Sequence, residues 1–406
     1  WEYKELLESP HNELKTNVSL VAAGPRGYIF VGCKEGLCVY RAANDLAREI
    51  SIVEDGEIGL GYAVHALGIS PTGLKLYVLS HSKLYFYNVS SLVKSAVSRE
   101  AYAFCDVSFA VRQTAWVTDT TLVAISINGD AYRIRANDGS AEKIKEGVYS
   151  ADFNPAINKG AFGMMDGSIQ IVGSNLESQQ EKIENDGEGK CFFVKVLEDQ
   201  CLAAVHRSID SDSEYEDSQD EDSQDEDCED DERFQLRIFD LNSRTWSTSI
   251  IDHANLSDPK KADSDEDEET EGDSASIPRS SEIKFFGLYI PHPYRTILLS
   301  SNRSYKFALI GLNDLQPQLW TLTATENERK QEFYPSYLLG MALSFNFQYK
   351  SWLSRDSDDK EMYPSGPTPL LLTTKGKLHC LTLVNYNMGY MEEEGPPPPP
   401  TFMKPL

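Results

Sequence analysis

The sequence predicts an all-β fold, a seven-bladed β-propeller with long disordered acidic loops, and three observations predict it. Short apolar runs of strand length follow one another between turn residues, and almost nowhere does a 3.6-residue period persist for three turns. A tight turn followed by a strand recurs, at Glu35-Gly36-Leu37-Cys38-Val39-Tyr40, Ser82-Lys83-Leu84-Tyr85-Phe86-Tyr87, Gly129-Asp130-Ala131-Tyr132-Arg133-Ile134 and Asp166-Gly167-Ser168-Ile169-Gln170-Ile171. These four recur roughly every 38 to 47 residues, the interval of a four-stranded blade. Phe234 to Phe239, Gln318 to Leu322 and Gly376 to Leu381 continue the series, and seven such turns imply seven blades.

Taken in order, the blades fall near residues 18–50, 60–100, 105–143, 147–185, 190–255, 282–325 and 333–385. A second signature, an apolar strand running into a turn, lies upstream of the repeat within the second and fourth of them: Ala66 to Gly73, where Gly73 tolerates positive φ, and Ala151-Asp152-Phe153-Asn154-Pro155, where Pro fixes φ. The fifth blade is split between Ala203-Ala204-Val205-His206 and Phe234 by an acidic stretch, and a second acidic stretch separates the fifth blade from the sixth. A ring has to close, because a last blade with a free edge invites aggregation, and Trp1 to Leu7 is the candidate outer strand for the seventh. The domain reading is therefore a propeller over 1–385 with disordered inserts at 208–232 and 257–281, followed by a linker or docking tail at 386–406. That tail ends in Glu392-Glu393-Glu394-Gly395 and five prolines, a polyproline II segment with no core of its own.

The formal charge of -26 is unevenly spread. Asp210 to Glu232 holds 15 carboxylates and Asp258 to Asp273 holds nine, which leaves 40 acids against 36 bases, net -4, in the remainder. A nearly neutral body thus carries two inserts too polar to bury a core. Such a chain repels phosphate backbones and favours a basic partner, so direct nucleic-acid binding is not expected. No run of about 18 apolar residues exists to insert in a membrane, and the opening Trp1-Glu2-Tyr3-Lys4-Glu5 lacks a signal-peptide plan. Without an initiator Met, the sequence reads as a fragment or a processed chain.

Chemistry is sparsely represented. The seven cysteines are odd in number, widely spaced and without a CxxC pair, which suits reduced structural thiols better than a disulfide framework or zinc site. The seven histidines show no metal-ligand spacing, and neither a GxSxG elbow nor a GxxxxGK[ST] phosphate loop is present. No enzyme activity and no cofactor are expected. Trp116, Trp246, Trp320 and Trp352 are read as packing between blades rather than as a platform for bases, which would need a positive groove beside it. Ser211, Ser213, Ser218, Ser223 and Ser264 each precede a carboxylate by three residues, the pattern acidophilic kinases prefer, and phosphorylation would add about -1.5 to -2 charge at each.

Three segments carry a resemblance. Ser19 to Gly24 with Gly27 to Tyr40, Tyr62 to Ser70, and Thr368 to Asn385 with its apolar run, Gly-centred turn and terminal Asn are similar to the N-terminal β-propeller of the cytoplasmic-face nucleoporin that docks the DEAD-box helicase of mRNA export. The resemblance implies a non-enzymatic platform at the cytoplasmic face of the nuclear pore complex. It would bind the helicase's N-terminal RecA-like lobe in competition with RNA. Contacts are expected at Glu54, Asp55 and Glu57 and around Val64, Leu338 and Leu339. Phe-Gly repeats are absent, the FG dipeptides being Phe162-Gly163 and Phe286-Gly287, so transport-receptor contacts and other nucleoporins would be reached through parts outside this chain. The alternative is a general WD-type scaffold that binds a histone or ribosomal protein through the acidic loops.

Overall fold

The computed structural model describes residues 19–24, 27–43, 51–94, 100–184, 189–197, 201–207, 234–248, 283–291, 294–301, 307–313, 316–320, 338–344, 351–354, 360–363, 367–373 and 378–380. They form an all-β ring. Six antiparallel sheets each have four strands in sequential order, spanning 21–59, 66–106, 111–145, 148–183, 191–248 and 285–320. The seventh position holds three described strands, Leu338–Ser344, Thr368–Thr373 and Leu378–Cys380, with a separate hairpin, Ser351–Ser354 paired to Lys360–Tyr363, between the first two.

The order of the ring follows from what the first strands touch. Neighbouring blades meet through these strands, which therefore surround the axis. Gln113 clamps the backbone of Ala151, donating to its carbonyl at 2.9 Å and accepting from its N–H at 3.0 Å, and Ser150 Oγ donates to Cys191 O at 3.0 Å. Leu20 N donates to Leu339 O at 3.2 Å, closing the first blade onto the seventh. Gly340 is required at this seam, because a Cβ there would lie 2.5 Å from Ser19 Oγ and 2.8 Å from Leu20 N.

Second strands are buried on both faces: all six residues of Thr296–Ser301 and of Thr368–Thr373 are buried, the Thr and Ser at their ends included. Third strands alternate, so Leu84 and Phe86 pack toward the third blade while Tyr85 and Tyr87 pack toward the first. The described tryptophans fill gaps between blades. Trp116 donates from Nε1 to Gly68 O at 3.0 Å and its ring meets Tyr77 and Phe86, while Trp246 packs against Phe239. Side chains of Trp320 and Trp352 lie outside the described residues. Cys38, Cys105, Cys191 and Cys201 are buried thiols, and Cys33 and Cys380 are half-buried ones. Gly129 and Gly167 take positive φ at turns that generated the repeat, and Gly73 at a turn of the second signature.

Two expectations shift. The sixth member of the series, Gln318 to Leu322, falls on the outer strand Gln316–Trp320; the third strand of that blade is Phe307–Asn313, which no Gly or Asp immediately precedes, so the alignment slid by one hairpin. The outer strands of the first two blades, Ser51–Gly59 and Ala103–Asp106, end beyond residues 50 and 100, because acids and a long connection conceal their apolar pattern. Both acidic inserts, the tail and Trp1 to Leu7 lie outside the described residues.

Candidate partner-docking face

In a four-strand meander the turn between the second and third strands lies at the same end as the link to the next blade. One face of the ring, here called upper, is therefore built from these two kinds of connection. They are locked together blade after blade by backbone bonds: Leu60 N to Glu35 O at 2.9 Å, Val107 N to Ser82 O at 2.7 Å, Val148 N to Gly129 O at 2.8 Å and Met165 N to Gly147 O at 2.7 Å.

Both acidic inserts are rooted on this face. Residues 208–233 join the second and third strands of the fifth blade, and 249–282 link that blade to the sixth. The first root is a closed hairpin, since Arg207 is directly opposite Phe234. It is held from below by His206, whose Nε2 donates to Gly167 O at 2.9 Å, and by the Arg237 guanidinium 4.6 Å above the Trp246 ring. The five serines expected as phosphorylation sites lie in these inserts, outside the described residues.

The six residues expected at the partner contact fall into two groups. Val64 is 3% exposed and fills the space beside Gly32, where a Cβ would come within 2.7 Å of its Cγ1 and 3.0 Å of Leu20 Cδ2. Leu338 is buried, and half-buried Leu339 supplies the carbonyl that Leu20 N reaches. Val64 and Leu339 thus pack in one cluster with Leu20 at the seam, while Leu338 packs on the other side with Ile290, Tyr294 and Leu298, so none of the three is open surface. Glu54, Asp55 and Glu57 lie apart from them on the outer strand Ser51–Gly59, Glu54 opposite Tyr40, Glu57 opposite Cys38 and Asp55 the extra residue of a bulge. Their side chains lie outside the described residues.

The described upper face carries a charge motif that the sequence alone does not display. In the third blade Lys143 Nζ lies 2.9 Å from Asp130 and 2.7 Å from Glu146; in the fourth, Lys182 Nζ lies 3.4 Å from Asp166 and 3.1 Å from Glu184. Each triad has two carboxylates to one ammonium and is net negative. Hydrogen bonds to Glu146 and then Asp130 hold the Lys143 ammonium above the usual lysine range, and Ser168 holds the Asp166 carboxyl below the usual carboxylate range. Five of the six groups are exposed and Asp130 is half-buried, so the triads shape the surface field more than they stabilise the fold.

Among the described residues no three His, Cys, Asp or Glu side chains gather to hold a metal, and no helix is long and apolar enough to cross a membrane. Burial pushes the Cys191 thiol up to about 12, which leaves it protonated and unreactive at neutral pH.

No family model matches the chain, and no curated protein matches it. Solved structures do. A chain in a structure of an S. cerevisiae Dbp5 variant bound to Nup159, a Gle1 variant, IP6 and ADP is 13% identical with a TM-score of 0.56, covering 94% of this chain and 94% of that one. The N-terminal domain of Nup159 is 14% identical, TM-score 0.54, over 93% and 92%. The β-propeller domain of Myceliophteria thermophila Cps50 (Swd1) is 8% identical, TM-score 0.50, over 91% and 98%. At these identities the likeness is one of fold, and it extends over nearly the whole of each chain: this protein is a β-propeller.

Proposed function

We propose that the chain is a non-enzymatic docking platform at the cytoplasmic face of the nuclear pore complex, where it binds a DEAD-box mRNA-export helicase through the helicase's N-terminal RecA-like lobe and competes with RNA for it. One coincidence supports the reading. The blade sequences that resemble the helicase-docking nucleoporin, Ser19 to Tyr40, Tyr62 to Ser70 and Thr368 to Asn385, occur in a chain whose fold matches the N-terminal domain of Nup159 over more than nine-tenths of both. The electrostatics are compatible with it. Two acidic inserts rooted on one face, beside two net-negative triads, attract the same basic surface that attracts phosphate.

The test is binding of a purified export helicase to the immobilised propeller. The complex is expected to be displaced by single-stranded RNA and weakened by salt, since exposed charges separated by more than about 8 Å are screened at physiological ionic strength. Simultaneous saturable binding of RNA and propeller, or an affinity independent of salt, overturns the reading. A second reading, a WD-type scaffold for a histone or ribosomal protein, draws on the same acidic inserts and on the likeness to a propeller from a different source, Cps50. Capture of those basic proteins in place of the helicase favours it.

A further inference from the structure

Ile127 is one of four large apolar side chains exposed among the described residues, at 38%, and the one that lies on the upper face. Its exposure is built in. Its N–H donates to Ala110 O at 3.0 Å, its carbonyl accepts from Arg112 Nη2 at 2.6 Å, and the turn beyond it is closed by Gly129 N to Ser126 O and Asp130 N to Ser126 Oγ, each at 3.0 Å. Arg112 is itself buried and stacked 4.0 Å from the Tyr149 ring, so the support is rigid. Phe109, next to the Ala110 whose carbonyl Ile127 N reaches, stacks on Tyr132 at 4.2 Å, and Met165 Cε would be 2.5 Å from a Cβ at Gly129, in the turn that follows Ile127. The two exposed aromatics among the described residues, Tyr102 and Phe104, already have the Lys75 and Lys83 ammoniums, each 5.3 Å from the ring.

We propose that this apolar centre, rimmed by the Asp130–Lys143–Glu146 and Asp166–Lys182–Glu184 triads, is the docking site for a basic amphipathic helix, whose apolar side chains cover Ile127, Phe109 and Met165 while its lysines or arginines meet the two net-negative triads. An apolar core inside a charged rim is the ordinary anatomy of an interface, and a patch held rigid before binding loses little entropy on association. The helix is assigned a basic character by the charge surplus of the rim. The inference deepens the reading of the chain as a docking platform for a basic partner and gives that partner a place on the third and fourth blades, away from Glu54, Asp55 and Glu57.

The probe is a fluorescent amphipathic Lys/Leu helix of about 18 residues, long enough for five turns, titrated with the full chain and followed by anisotropy. Binding is expected to weaken with salt, to weaken about fivefold or more in Ile127→Ser, the cost of roughly one lost apolar contact, and further in Glu146→Lys, while Leu74→Ser, an exposed apolar residue between the first two strands of the second blade, leaves it unchanged. Equal affinity for wild type and Ile127→Ser, or equal loss in Leu74→Ser, overturns the proposal. The same variants titrated with the export helicase separate it from the wider reading: helicase binding untouched by Ile127→Ser removes this site and keeps the platform. Probe binding that depends on Ile127, with no helicase binding at all, does the reverse.

Discussion

The Cα of Gly139 is pressed against the backbone carbonyl of Phe104, so closely that a Cβ would stand 1.8 Å from the oxygen. Gly139 has φ +71 in the turn between the third and fourth strands of the third blade, a turn tied by Gly139 N to Arg135 O at 2.8 Å and by Asp138 Oδ1 accepting from Ser140 N at 2.8 Å. This contact joins the outer parts of the second and third blades. Gly139→Ala is expected to cost about 1–3 kcal/mol, from positive φ and the overlap together. Gly59→Ala, where a Cβ meets nothing within 4 Å, should change stability by less than about 0.5 kcal/mol. Urea denaturation of both variants checks the pair, and equal stabilities would show that the Gly139 loop yields freely.

Deleting Asp210 to Glu232 is expected to leave the thermal transition within a few degrees. Arg207 and Phe234 already pair across the hairpin root, and shortening a loop alters closure entropy by only about 0.6 kcal/mol per halving. Calorimetry decides, and a collapsed transition would make the stretch part of the fold. Affinity for a basic partner should fall in the same variant.

The isolated chain is expected to show no measurable single-stranded RNA binding at physiological salt. Even without its inserts the sequence is net -4, and the described lysines of the upper triads are each shared by two carboxylates. Phosphate binding needs several cations that can displace counterions. Micromolar or tighter binding in an anisotropy titration would refute the electrostatic argument and the role as a competitor of RNA together.

Alkaline pH should destabilise the fold through buried thiols and a buried phenol, the carboxylates being already ionised at neutral pH. Burial pushes the thiols of Cys191 and Cys380 from 9.0 up to about 12, and raises Tyr77 from 10.0 to about 12. The folded chain keeps protons that the unfolded chain sheds, so this contribution is complete below about pH 9 and is lost as pH rises toward 12. Urea midpoints under reducing conditions should hold from pH 7 to 8.5 and fall by pH 10, the fall being shallower in Cys191→Ala. A midpoint that stays level to pH 10 contradicts the assignment.

The architecture was legible where turn chemistry and strand pattern agree. Gly129 and Gly167 mark third strands because those turns need positive φ, and Ala151 to Pro155 marks the end of a first strand, Val148–Asn154, because an apolar run there meets a Pro turn. Phe307–Asn313 was missed for want of such a turn. The docking face was less visible. Leu122 to Ile127 reads as one apolar run, and only the turn closed on Ser126 leaves Ile127 past the strand end and outward. Lys143 and Glu146 are three residues apart, but Asp130 comes from the turn before the third strand, so only the fold completes the triad. Val64 and Leu338 were recognisable as apolar, but whether an apolar residue faces a neighbour or solvent depends on blade-to-blade packing.

The hairpin root at Arg207 and Phe234 also makes the fifth blade a natural split point. The strands on either side of the first insert are zipped by seven residue pairs, from Cys201 opposite Asp240 to Arg207 opposite Phe234, and the second strand is buried within the blade. A protease cut within 208–233 would therefore yield two polypeptides that remain one particle, each contributing strands to the same sheet. The ring would keep its shape while the insert's two halves became free ends, so that its charge could be trimmed without dismantling the scaffold that carries it.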